Sequence, residues 1–365
     1  MRSFKLMALI LLILLCGCSS AAPASQEAAG TSVTESAEAT SMRMEQLEGD
    51  VSVFDGEKDI EAFAGMGLYS GYDIGTKKES YDWIMLDDVK LLKMDQNTRT
   101  SIDQQGKKIR ILLEEGSLFF CVSEPLADDE ELSFETENVS LSIRGTCGII
   151  RHYSKTSYII MLEGEAEAEC LNNVSNSFDL VQGDVLIVPE LSYQTDHMVH
   201  GDLPDFVREE LTDSDMVKEK MEGSSIDPDD YMNDEEVLEA AKKFEGRYLC
   251  INSYYSKGDI PGVDVLIKDP YTLEISLDEN GYLKAVAKES EEAYAAVEEF
   301  NKMAEEAGAY YRMTHTDMDI DMPVIRISED GGLLLGGYFE SGLYRNENGN
   351  LTTYPGFLDA YRKID

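Results

Sequence analysis

The segment SIRGTCGIIRHYSKTSYIIMLEGEAEAEC, residues 142–170, sets Cys147 and Cys170 beside Arg144, His152 and a Gly145-Thr146 pair in one apolar stretch. A thiolate activated by an imidazole would be a nucleophile for acyl transfer. His152, however, follows Cys147 by five residues, and side chains an odd number apart on a strand point to opposite faces. Gly145 reads as a bulge or a close backbone approach, and the Thr146 hydroxyl as a group that satisfies a strand end. Cys121, Cys147, Cys170 and Cys250 all lie among apolar residues, and none forms a CxxC. Their three possible pairings cannot be ranked from spacing, and buried thiols are favoured over a disulfide.

Metal chemistry has two candidate stretches. DPDD at 227–230, followed by Asn233, Asp234 and Glu235, gathers oxygen ligands of the kind Ca²⁺ takes. It lacks the register of a calcium loop and reads better as a solvated linker with a helix cap. HTDMDIDM, residues 315–322, puts Asp317, Asp319 and Asp321 on one strand face and Met318, Ile320 and Met322 on the other, the pattern of a half-buried strand. His152, His197, His200 and His315 are the four histidines. His197 and His200 lack the HExxH frame of a zinc hydrolase, and there is no GxSxG elbow, phosphate loop or SxxK. Aromatics gather late in the chain, at Tyr248, Tyr254, Tyr255, Tyr271, Tyr338, Phe339 and Tyr344; a sugar or peptide groove is one reading, and cross-strand packing is the better one. No cofactor or catalytic residue is expected.

The elements that would hold these residues begin with an export signal. Arg2 and Lys5 precede an apolar run, Leu6 to Leu15, too short to span a membrane. Leu15-Cys16-Gly17-Cys18 resembles a bacterial lipobox, so residues 1–17 are expected to leave and Cys18 to carry a lipid. Residues 18–43 have almost no large apolar side chain and form a flexible tether. With 72 acids against 31 Lys and Arg, the net charge of −41 repels phosphate backbones and excludes a nucleic-acid partner.

From residue 44 to 190 the dominant period is two, and Asp55-Gly56, Glu115-Gly116, Glu163-Gly164 and Gln182-Gly183-Asp184 mark turns. This predicts an all-β domain, a solenoid or sandwich of short strands. Residues 191–234 read as a helical connector and linker: Phe206, Val207, Leu211, Met216, Val217 and Met221 recur near helical spacing, and Thr212 or Asp213 can cap a second helix. Residues 235–365 read as an α+β domain, opened by an N-cap at Asn233 or Asp234 and carrying a hairpin at Asp278 to Gly281. The protein is expected to be mainly β.

Over residues 49–188 the chain resembles the FecR domain of bacterial surface-signalling regulators. The likeness rests on Gly49 before VSV, on GMGLYSGYDIGTKKES with Gly71 and Asp73, and on WIMLDD. It continues through LEEGSLFFCV with Gly116, Arg144-Gly145-Thr146, the hairpin at Gly164, and LVQGDV with Gly183. The resemblance implies extracytoplasmic signalling. In the regulator form a cytoplasmic anti-sigma segment and a spanning helix precede this domain; a lipobox in their place argues against direct sigma-factor control and for a protein or polymer of the envelope as partner. The C-terminal part is loosely similar to small lipocalin-like barrels, although its central helix departs from them. Three functions follow in order of support: a non-catalytic binding or relay platform, a solute-binding lipoprotein with its pocket in the C-terminal domain, and a cell-wall hydrolase.

Overall fold

The computed structural model describes residues 41–172, 176–251, 253–256, 264–267, 271–279, 281–308, 314–315, 318–322, 324–334, 342–353 and 360–364. The signal at 1–17, Cys18, most of the tether, Asp317, Tyr338 and Phe339 lie outside the described residues, as do the side chains of Tyr254 and Tyr255. The described residues belong to one compact unit.

The alternating pattern of the first half becomes sixteen strands. They are β1 (Arg43–Glu48), β2 (Val51–Phe54), β3 (Asp59–Glu61), β4 (Tyr72–Thr76), β5 (Tyr81–Asp87), β6 (Lys90–Met94), β7 (Arg99–Gln105) and β8 (Lys108–Val122). Then come β9 (Glu131–Glu135), β10 (Val139–Ile143), β11 (Cys147–Tyr153), β12 (Thr156–Glu163), β13 (Glu165–Cys170), β14 (Ser177–Val181), β15 (Asp184–Val188) and β16 (Gln194–His197). One sheet runs β3-β2-β4-β7-β8-β9-β10-β13-β14 and the other β1-β5-β6-β8-β11-β12-β15-β16. Both contain β8, a strand of 15 residues. Its first half pairs with β7 and, in parallel, with β9; its second half pairs with β6 and β11. Ile111, Leu113 and Phe134 of the first sheet meet Leu118, Phe120 and Ile150 of the second in a shared core, with the Phe120 and Phe134 rings 4.6 Å apart. The fold is therefore a sandwich and not a solenoid.

Gly116 sits where β8 passes between the sheets, at φ +105°. A Cβ there would run into Thr98, whose hydroxyl accepts the Ser117 N–H at 3.1 Å. Gly183 also has a positive φ, +86°, but faces open space. Gly116→Ala should therefore cost about 3 kcal/mol, a left-handed penalty plus a clash, while Gly183→Ala costs about 1 kcal/mol; urea midpoints of the two variants check this.

The outer face of the second sheet carries Phe119, Cys121, Cys147, Ile149 and Ile160. It is covered by α1 (Asp205–Asp213) and α2 (Asp215–Lys220) through Phe206, Val207, Leu211 and Val217, and by Val324. The connector is helical as expected, but α2 starts after Ser214 with no side-chain cap. Because α1 continues through Asp213, the Thr212 hydroxyl bonds back to the carbonyls of Arg208 and Glu209, each at 3.1 Å.

The expectation of four buried thiols is corrected here. The β8–β11 register sets Cys121 directly opposite Cys147, with Cα atoms 4.1 Å apart, and the two form a disulfide. Opposed residues of a non-hydrogen-bonded antiparallel pair approach closely enough for this. Cys170 and Cys250 are buried and lie outside the disulfide. Alkylation under native, non-reducing conditions followed by peptide mapping should leave all four unlabelled; denaturation without reductant should label only Cys170 and Cys250.

The second half opens on α3 (Asp234–Lys242). Asn233 accepts the Glu236 N–H and Glu236 returns the bond to the Asn233 N–H, a complete capping box. The strands are β17 (Gly246–Cys250), β18 (Ser253–Ser256), β19 (Asp264–Ile267), β20 (Tyr271–Leu277), β21 (Leu283–Glu289) and β22 (Met318–Met322). The last five are β23 (Arg326–Ile327), β24 (Leu333–Leu334), β25 (Tyr344–Arg345), β26 (Leu351–Thr352) and β27 (Tyr361–Lys363), with α4 (Glu291–Glu306) between β21 and β22. Seven form a sheet in the order β22-β21-β20-β17-β27-β26-β25. Among the described residues β22 and β25 end this sheet and are not paired with each other. Tyr248, Leu273, Ile275 and Ala285 build its core. Among the described residues no helix is long and apolar enough to cross a membrane.

Candidate functional site

Two buried cations fasten the rest of the chain to the second sheet. Alternation along β6 turns Leu91 and Lys93 outward, and Lys93 is fully buried. Its Nζ donates to the Phe206 carbonyl at 2.8 Å and lies 3.1 Å from both Glu209 and Glu210 carboxylates. It also sits 4.5 Å from the Trp83 ring centre, and the Trp83 Nε1 donates to Glu210 at 2.7 Å. Arg326, on β23, is the second. It grips both Asp202 oxygens, at 2.9 and 2.8 Å, and reaches Asp196 at 2.8 Å and the His197 carbonyl at 3.0 Å. Burial works against its charge, but the two carboxylates hold it protonated.

Beside these fastenings lies a cavity of about 430 Å³. Its floor is the polar end of the second sheet: Asp95 after β6, Ser117 on β8, and Arg151 and Tyr153 on β11. The register explains the grouping, since Arg151 stands opposite Ser117, two residues beyond the Ile149–Phe119 pair. The walls are Asp234, Val237 and Leu238 of α3, Gly281 and Tyr282 of the β20–β21 turn, and Val324. Tyr153 shares a hydrogen bond with Ser117 at 3.0 Å and packs edge-on against Tyr282, ring centres 5.8 Å apart. Burial pushes the phenols of Tyr153 and Tyr282 up. The same cause, opposed by the Gln96 N–H and by Arg151, raises the Asp95 carboxyl to about 6. Asp234 is raised too, mainly by burial and by Asp205, with Arg151 opposing. Arg151 is only 8% exposed, and its Nε has no hydrogen-bond partner among the described residues.

The residues singled out from sequence lie elsewhere. Thr146 donates to the Glu165 carbonyl at 2.8 Å, and Gly145 and Gly164 approach so closely that a Cβ on Gly164 would lie 2.9 Å from the Gly145 oxygen. Arg144 is exposed and faces a groove with Glu131, Glu165 and Asp179. Gly71 donates its N–H to Ile102 at 2.7 Å at the entry to β4, where Asp73 is exposed between Phe54 and Ser101. Gly183 joins β14 to β15, its N–H on the Met161 carbonyl at 2.8 Å. Of these, the structure brings only Gly145, Thr146 and Gly164 together.

Cys147 and His152 do not form a dyad. Cys147 is spent in the disulfide, and His152 bonds the Ser157 hydroxyl at 3.0 Å, where burial pulls its pKa down. His197 stands 3.3 Å from Asp184, exposed. His315 stacks on Tyr294 and bonds Glu289 at 2.7 Å and Glu298 at 3.0 Å, which push its pKa up. Asp227 caps a short 3-10 helix at Pro228–Asp230. Asp319 is exposed and Asp321 accepts from Ser154 at 3.2 Å. Among the described residues no three His, Cys, Asp or Glu side chains are grouped so as to hold a metal. Reading the sequence missed Arg151, Asp95, Lys93 and Arg326; the available signal was a charge at an apolar position of an alternating strand, in LLKM and in CGIIR.

Comparison with known proteins agrees with the strand pattern. No curated protein matches the chain. Two crystal structures from Parabacteroides distasonis ATCC 8503, each described as a candidate anti-sigma factor, are similar to parts of it. One, at 2.50 Å, is 12% identical with a TM-score of 0.31 and covers 34% of this chain, which spans 59% of that one. The other, at 1.65 Å, is 14% identical with a TM-score of 0.34 and covers 54% of this chain and 98% of its own. The family model described as FecR protein matches residues 72–167, from the start of β4 into β13. That span includes the bent strand β8 and strands of both sheets, and the chain carries a FecR domain.

Proposed function

We propose that this protein is a non-catalytic relay or binding platform, held outside the cytoplasm by a lipid on Cys18. The observation that carries the reading is the FecR match over residues 72–167, the mark of a regulatory module. The sandwich offers it a surface: β14 ends its sheet, pairs among the described strands only with β13, and leaves Val181 exposed. Such an edge accepts an added strand from a partner. Labelling cells with an alkyne fatty acid and fractionating them tests the anchor. The label and membrane retention should both disappear in Cys18→Ser; an unlabelled, cytosolic wild-type protein sinks the reading. A photo-crosslinker at Val181 tests the platform, which fails if no envelope component is captured there in intact cells.

A solute-binding lipoprotein remains the second reading, favoured by the cavity. The cavity differs from the one expected, being polar and lined by both halves of the chain, where an aromatic pocket inside residues 235–365 was anticipated.

A further inference from the structure

We propose that the cavity above Arg151 is a binding site for a small amino-carboxylate, a free amino acid or dipeptide whose carboxylate pairs with Arg151 and whose ammonium groups face Asp95 and Asp234.

A guanidinium is never deprotonated in a protein and carries five donors. Burying it without a hydrogen-bonded counter-charge is among the costliest arrangements a fold can hold. Lys93 and Arg326 obey that rule, each bonded to carboxylates. Arg151 departs from it: 8% exposed, its Nε lacks a partner, and it opens on a cavity of about 430 Å³. Asp95 and Asp234 sense its charge, but neither forms an ion pair with it among the described residues. A planar carboxylate fits the guanidinium fork with two parallel bonds.

The remaining walls select the rest of the ligand. Arg151 and Lys78 are the cations in the lining, against Asp95, Asp234, Glu235 and Glu279. A phosphate, or any ligand of net negative charge, would meet that surplus of acid and be repelled. An ammonium group a few ångströms from the carboxylate would be attracted by it. The cavity falls within the size range of small-molecule sites. Because Ser117, Arg151, α3 and the β20–β21 turn all contribute, a bound ligand would touch both halves of the chain. The proposal does not rest on the relay reading: ligand binding and partner capture are separate observables.

The test is calorimetric titration of the purified protein with L-lysine, L-alanine and dialanine, with acetate, methylammonium and inorganic phosphate as controls. At least one amino-carboxylate should bind with a Kd below about 1 mM, lysine more tightly than alanine, and the controls at least tenfold more weakly. Arg151→Gln should weaken binding by tenfold or more. Asp95→Asn, a near-isosteric change, should weaken lysine more than acetate and guards against misfolding of the first variant. The proposal is overturned if no amino-carboxylate binds, if phosphate or acetate binds as well, if both variants bind like wild type, or if the dipeptide is cleaved.

Discussion

Arg326→Met lowers the stability of the chain by about 3 to 5 kcal/mol, because it strands the Asp202 carboxylate in a site with no exposure. Asp202 accepts from Arg326 through both oxygens, and its remaining bond is to the Val199 N–H at 2.9 Å. Adding Asp202→Asn removes the stranded charge while keeping an acceptor for Val199, so the double variant recovers much of the loss. A guanidinium denaturation series on the wild type, both single variants and the double variant measures the coupling. Equal midpoints for wild type and Arg326→Met would mean that the buried pair does not hold the second half of the chain to the first.

Asp82→Asn stabilises the protein at pH 8 and leaves it nearly unchanged at pH 4. Asp82 lies on β5 with no exposure, and neither carboxylate oxygen has a hydrogen-bond partner among the described residues. Burial raises its pKa from 3.8 to about 8. The folded chain therefore binds one proton more than the unfolded chain between those values, so stability falls as pH rises through that window. At about 1.4 kcal/mol per unit, the difference between variant and wild type should grow by on the order of 5 kcal/mol from pH 4 to pH 8. Subtracting the two pH–stability curves isolates this group from the other carboxylates. A difference that stays flat from pH 4 to pH 8 shows that Asp82 does not titrate in the core.

How far the sequence could be read depended on the range of the interaction. Patterns that act within a few residues were legible: period-two strands, a helix start at Asn233 or Asp234, the Asp278 turn between β20 and β21, and the alternation of Asp319 and Asp321 with Met322. The order of glycine turns carried the FecR likeness. What stayed hidden depends on register and on distant partners. Cys121 and Cys147 meet only because β8 and β11 pair in one register out of several. Arg326 finds Asp202 across 124 positions, and among 72 acids no local pattern marks that one. The Arg151 cavity has the same origin, since its walls come from β8, β11, α3 and a turn that are all remote in sequence.

The strand bent at Gly116 makes the two layers of the sandwich mechanically inseparable. Its residues on one side of the bend hold the register of β7 and β9, and those on the other side hold β6 and β11. Melting of either layer frees half of β8 and strips apolar partners from the core that the other layer shares. Amide protons flanking the bend, at Leu113 and Leu118, then exchange through a single whole-sandwich opening.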